Sequence, residues 1–153
     1  MEKICCFTGH RNLPKEIEDE LFNELYKTLE TLVEEGFSIF RAGGAVGFDR
    51  MAADAVIALR QKMPHIKLHI YVPCLDQNKF FSEAEKEYYM AQLKSADKIF
   101  CISKSYYKGC MLERNRAMVN GADACIAYVR RESGGSAYTV KYAKAENCRV
   151  ILL

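Results

Sequence analysis

The strongest chemical signal in the chain is a run of eight residues, Ala42-Gly43-Gly44-Ala45-Val46-Gly47-Phe48-Asp49. Glycine lets a backbone turn tightly and come close to a ligand. Here the glycines follow an apolar, strand-like stretch and open an amphipathic one. That context predicts a helix start whose free amides, helped by the helix dipole, face an anion. A tight strand-to-helix turn without a ligand satisfies the same pattern. Asp49 either caps the helix or binds a ribose hydroxyl. Gly43, Gly44, Ala45, Gly47, Phe48 and Asp49 are therefore candidate ligand-binding residues, with Gly44 and Gly47 expected where backbone approaches an anion.

Three further segments carry polar chemistry. Thr8-Gly9-His10-Arg11 directly follows the first apolar run. It offers a hydroxyl, an open backbone, an imidazole and a guanidinium, the last suited to bidentate phosphate or carboxylate binding. Glu113-Arg114-Asn115-Arg116 opens a short helix. Arg114 and Asn115 have the reach for a phosphate or a base edge, Arg116 for bracing Glu113 or a neighbouring loop, and Glu113 is the one acid nominated as catalytic. Ser133-Gly134-Gly135-Ser136 repeats the strand–glycine–helix arrangement. Tyr106 and Tyr107 either stack a base or pack as ordinary aromatics. His65 and His69 read as structural. No zinc spacing, Gly-Lys-Ser/Thr phosphate loop or nucleophile elbow is present, and the first turn lacks the dinucleotide glycine fingerprint.

The elements that must position these residues alternate along the chain. Strands are predicted over 3–8, 37–41, 67–72, 98–102, 124–129 and 149–153. The first helix is expected to start at Asn12 and Pro14, as N-cap and first-turn proline, and to stop at Gly36. The second runs over 48–62, the third from a Ser82/Glu85 capping box to 95, the fourth over 111–120, and the fifth from the 133–136 turn to 147. Pro73 is expected to close the third strand. Strict alternation, with strands apolar on both faces, implies an α/β fold: a mostly parallel sheet of about six strands with helices on both sides. Ligands bind such sheets outside the carboxyl ends of the strands, where all four polar segments fall.

Totals bound the rest. A chain of 153 residues fits one domain spanning 1–153 and needs no metal or disulfide to fold. A net charge of +2 gives no strong field toward nucleic acid. Seven cysteines, an odd number without metal-ligand spacing, predict free thiols in a reducing cytoplasm. Cys5, Cys6, Cys101 and Cys125 sit in runs read as buried strands, and Cys110, in a polar loop, is the one thiol singled out as a candidate for reactivity, an unreactive thiol being the favoured reading. No apolar run approaches membrane-spanning length.

At these residues the chain resembles the SLOG superfamily, named for the Smf/DprA and LOG proteins, over nearly its whole length. Thr8-Gly9-His10-Arg11 is similar to the opening of the small stand-alone YpsA-like branch. Gly43 to Asp49 resembles the Gly-Gly-Ala-x-Gly-Ile-Asp segment of DprA proteins, and Arg114-Asn115-Arg116 matches their Arg-Asn-Arg. The resemblance implies a Rossmann-like three-layer sandwich that binds a nucleotide-derived ligand, ADP-ribose-like ones included, with no cofactor required, and that forms homo-oligomers. LOG enzymes hydrolyse the N-glycosidic bond of nucleoside monophosphates. Of their Pro-Gly-Gly-x-Gly-Thr-x-x-Glu motif, only the two leading glycines are matched, at Gly134 and Gly135. DprA proteins bind single-stranded DNA, but no basic and aromatic stripe favours that role here. The expected function is binding or sensing of a phosphate-bearing nucleotide derivative, with nucleotide N-glycosidase and single-strand binding as alternatives.

Overall fold

A computed structural model describes residues 2–153. Six strands form one sheet: β1 (Lys3–Gly9), β2 (Phe37–Ala42), β3 (Lys67–Cys74), β4 (Lys98–Ser103), β5 (Ala124–Tyr128) and β6 (Arg149–Leu152). All pairings are parallel, in the order β4-β3-β2-β1-β5-β6. Five helices connect them: α1 (Glu18–Glu34), α2 (Phe48–Lys62), α3 (Glu83–Ser95), α4 (Cys110–Val119) and α5 (Gly135–Ala145). This is the expected Rossmann-like three-layer fold. No helix among the described residues is long and apolar enough to cross a membrane.

The chain builds outward from β1 to β4, then returns through α4 to place β5 on the other side of β1. The helices divide accordingly: α1 packs on α2 and α2 on α3, while α4 packs on α5. Each face has its own core. One buries Leu21, Leu25, Leu29 and Leu32 of α1 with Phe7, Phe40 and Phe48. The other buries Met118, Val119 and Ala143 with Cys6, Tyr71 and Cys125. The direction reversal at β1/β5 opens a crevice at the carboxyl ends of those strands.

Several local expectations are corrected. α1 does not begin at Asn12 and Pro14. A 3-10 turn (Lys15–Ile17) comes first, and α1 starts at Glu18. Leu13 and Ile17 pack against the core, so the tighter turn carries the chain from crevice to helix. Pro73 does not close β3, which continues to Cys74. It lies beyond the last β2 pair, Ala42 with Ile70, and between the β4 pairs of Val72 and Cys74. Pro73 itself has no partner in the β4 register, which resumes at Cys74. β4 is not buried on both faces, because α3 packs on α2 and α4 lies chiefly over β3. Ile99 is 50% and Phe100 38% exposed. Cys101 is exposed with its strand, and Cys110, expected in a loop, is buried at the start of α4. The Ser82/Glu85 capping box forms as expected.

Gly9 shows how the core fixes the crevice. A Cβ there would stand 2.5 Å from the Phe48 ring, which itself stacks on Tyr128 at 6.1 Å. The glycine lets α2 seat against the end of β1. Gly9→Ala should therefore destabilise the fold by about 1–3 kcal/mol through overpacking, read as a lower denaturation midpoint with an unchanged m-value.

Candidate functional site

The crevice has a volume of about 320 Å³. Four segments line it. The end of β1 and its loop contribute Thr8, Gly9, His10, Arg11 and Asn12, and the turn before α2 contributes Ala45, Val46 and Asp49. From α4 come Met111, Leu112, Arg114 and Asn115, and from the β5–α5 turn Arg131 and Ser133 to Ser136. The four polar segments, distant in sequence, thus meet at one place.

Three helices begin here, and none has a side-chain cap. The N-cap positions of α2, α4 and α5 are Gly47, Gly109 and Gly134, and no cap side chain accepts a hydrogen bond from the first turn. Helix starts carry a partial positive charge; the first N–H of α2 donates to the His10 carbonyl and that of α4 to the Tyr107 carbonyl, whereas the Gly134-Gly135 start of α5 lies in the lining itself. Arg11, Arg114 and Arg131 add full charges, and Asp49 is the one carboxylate in the lining. The lining therefore carries more positive than negative charge.

The cationic side chains are not equivalent. Arg114 is only 4% exposed. Its guanidinium donates to the carbonyl of Gly43, to the Tyr71 carbonyl at 3.2 Å and to Asn115 Oδ1 at 2.8 Å. Burial lowers its pKa, opposed by the nearby charge of Asp49. Arg114 thus braces α4 against the glycine turn and the end of β3, and supplies charge from the crevice floor. Arg11 is exposed and reaches across the opening, its Nη2 3.9 Å from Met111 Sδ.

His10 is held neutral. Its Nε2 accepts the Arg130 backbone N–H at 2.7 Å, which places its own proton on Nδ1. Desolvation, then the charges of Arg131 and Arg130, lower its pKa. Asp49 is 8% exposed. Burial raises its pKa, against the opposing pull of Arg114, Arg11 and the Ala45 backbone N–H. The helix start is not capped by its side chain, which leaves the carboxylate facing the crevice.

The two glycine turns, both expected to approach the ligand, are not equivalent. Gly43, Gly44, Gly47 and Phe48 do not line the crevice. A Cβ on Gly43 would stand 2.5 Å from Asp49 Oδ2 and 2.8 Å from Arg114 Nη1, so its absence admits both ionic groups. Gly44, at φ +73°, faces Ile70, Gln77 and Tyr89, and Gly47, at φ +86°, lies against the Arg11 carbonyl. Phe48 is fully buried core. By contrast, a Cβ on Gly134 or Gly135 would meet nothing within 4 Å. The second turn, not the first, presents open backbone.

Glu113 is exposed on α4 and is not among the lining residues, so it does not stand beside the crevice. Arg116 turns instead to the Tyr138 hydroxyl at 3.2 Å. Sequence reasoning missed Asn12, Val46, Met111, Leu112 and Arg131. Only Arg131 carried a readable signal, a cation between β5 and the second glycine turn.

A family model described as the YspA SLOG family matches residues 5–150. A UPF0398 protein of Shouchella clausii is 35% identical over 79% of this chain and 69% of its own length. One of Halalkalibacterium halodurans is 34% identical over 74% and 61%. DNA processing protein A of Streptococcus pneumoniae superimposes with a TM-score of 0.70 at 20% identity, covering 99% of this chain and 50% of that one. DNA processing protein A of Helicobacter pylori, described as having a single-stranded DNA binding mode, gives 0.69 at 17%, covering 98% and 64%. The chain thus spans about two thirds of these relatives and half to two thirds of the solved chains. At such identities the likeness to the solved structures is one of fold.

The raised pKa of Asp49 gives the next prediction its sign. A carboxyl with a higher pKa folded than unfolded destabilises the fold in its ionised form. That penalty is complete above the folded pKa and vanishes below the ordinary carboxylate range. Asp49→Asn should therefore raise the urea midpoint at pH 7, with a gain that shrinks as pH falls toward 4. A gain independent of pH would show that the ionised carboxylate is not what is being removed.

Proposed function

The chain belongs to the YspA SLOG family, and from that premise we propose that its crevice binds a phosphate-bearing small molecule derived from a nucleotide, ADP-ribose-like compounds included. One observation carries this reading: three helix starts without side-chain caps converge on a crevice that also holds Arg11 and Arg131 and only one carboxylate. A phosphate placed there meets backbone N–H donors from the open Gly134-Gly135 turn and a guanidinium from Arg11. Thr8, Asn12, Ser133 and Ser136 supply neutral partners, and Asp49 accepts from a ribose hydroxyl. The volume, about 320 Å³, lies at the small end of ligand sites, roughly 300–1,000 Å³, and suits the sugar phosphate part of such a ligand.

Binding or sensing is favoured over turnover. Cleaving an N-glycosidic bond needs a group to manage the leaving base's proton and one to stabilise positive charge on the sugar. The first turn of α5 carries no acid, and Glu113 stands outside the lining. A second reading, a nucleotide N-glycosidase, rests on Asp49 alone: a carboxyl in the lining whose burial raises its pKa. In that case Asp49 rather than Glu113 is the proton donor.

Calorimetric titration with nucleoside monophosphates tests the main reading. Arg11→Ala should weaken binding roughly 10- to 100-fold, as expected for losing charge-assisted hydrogen bonds, with the fold intact because Arg11 is exposed. Wild-type affinity in that variant would remove Arg11 from the site. Base release, followed in wild type, Asp49→Asn and Glu113→Gln, decides between binding and catalysis. No turnover beside measurable binding is expected. Turnover abolished only by Asp49→Asn would make the protein a glycosidase.

A further inference from the structure

A second chamber adjoins the crevice. Its volume is about 560 Å³, and its walls are mostly apolar. The two cavities share Arg11, Ala45, Val46 and Met111, so they adjoin, with the contact between Arg11 and Met111 at their common boundary. The shared residues place a cation at the junction.

The aromatics of this chamber fall into two kinds. Phe81 is anchored, packing edge-to-face on Tyr89 at 5.6 Å. Phe80 and Tyr106 are not: they are 92% and 61% exposed. The Phe80 ring has only Lys79 Nζ, at 5.5 Å, over it. Exposed aromatic faces lining a concavity provide stacking surface for a planar ring, and stacking tolerates any base because every base has a π-face. The polar crevice is small for a whole nucleotide-derived ligand, and in its apolar neighbour the one cation beyond the shared boundary, Lys79, lies over the Phe80 ring among the carboxylates of Asp76 and Glu85.

Resting on the reading of the crevice given above, we propose that this second chamber is the subsite for the aromatic base of the same ligand. The base stacks on Phe80 and Tyr106, the chain of the ligand crosses Ala45 and Val46 beside Arg11, and the sugar phosphate lies in the polar crevice. The ligand class is then a nucleotide, selected over a bare sugar phosphate by its ring and with little discrimination among bases.

Calorimetric titration with adenosine monophosphate and ribose 5-phosphate separates the two chambers. Wild type should bind the nucleotide about tenfold or more tighter than the sugar phosphate. The double variant Phe80→Ala/Tyr106→Ala should bind both alike, with its affinity for ribose 5-phosphate unchanged. Both side chains are exposed, so the variant is expected to fold. Tyr106→Phe should keep the preference, since it keeps the ring. With no tryptophan in the chain, tyrosine fluorescence offers a second readout, quenched by the nucleotide and not by the sugar phosphate. A double variant that retains the full preference overturns the base subsite and leaves the polar crevice standing. Wild type that binds neither compound overturns both. Affinity that climbs steadily with the length of a thymidine oligonucleotide, while the mononucleotide stays weak, overturns a small-molecule occupant in favour of a single strand.

Discussion

The site depends on one buried cation. Removing a guanidinium from water costs several kcal/mol unless its donors are met, and Arg114 is 4% exposed. Its donors are met by the carbonyls of Gly43 and Tyr71 and by the Asn115 side chain, and its charge is balanced by nearby Asp49. The bonds run from α4 to the end of β3 and to the turn leaving β2, elements far apart in sequence. They hold the starts of α2 and α4 toward the same crevice. Gly43 belongs to this unit, because any side chain there would displace the guanidinium or the carboxylate. Gly43, Asp49 and Arg114 act as one structural decision.

That dependence explains what the sequence could and could not reveal. Alternating strands and helices were legible because each strand is a short apolar run, and α1 carries Leu21, Leu25 and Leu29 at helical spacing. The capping box at Ser82 and Glu85 was legible because its chemistry is local. The purpose of the first glycine turn was not. A glycine that admits a ligand and one that admits the chain's own side chains satisfy the same requirement, an absent Cβ. Gly9 makes room for Phe48, Gly43 for Asp49 and Arg114, and Gly47 for the Arg11 carbonyl. Only three-dimensional neighbours separate these cases from Gly134 and Gly135, which face open space.

Neighbouring residues on a short helix posed a related difficulty. Glu113 and Arg114 differ by one position, which turns the side chain through about 100°. One is exposed and the other buried. α4 packs through Cys110, Arg114, Met118 and Val119. A buried arginine in that row breaks the apolar pattern from which its inward face would be read. The edge strand misled in the opposite sense. Its apolar run suggested burial, yet the layer of helices does not extend over β4, and Cys101 stands exposed while Cys110 lies inside.

In the proposed reading, Asp49 decides which anions suit the crevice. Helix starts and guanidinium groups alone attract any phosphate. A carboxylate among them opposes a bare anion that approaches closely, and it accepts a hydrogen bond from any ligand bringing a hydroxyl donor beside its phosphate. Inorganic phosphate therefore meets attraction and repulsion together, whereas a ribose phosphate turns the same carboxylate into a partner. Burial keeps this discrimination strong, because charges act on one another with less screening away from water. It also makes the free protein less stable than a neutral side chain at position 49 would. Affinity for the right ligand and instability without it then have one physical origin, the charge that Gly43 admits and Arg114 balances.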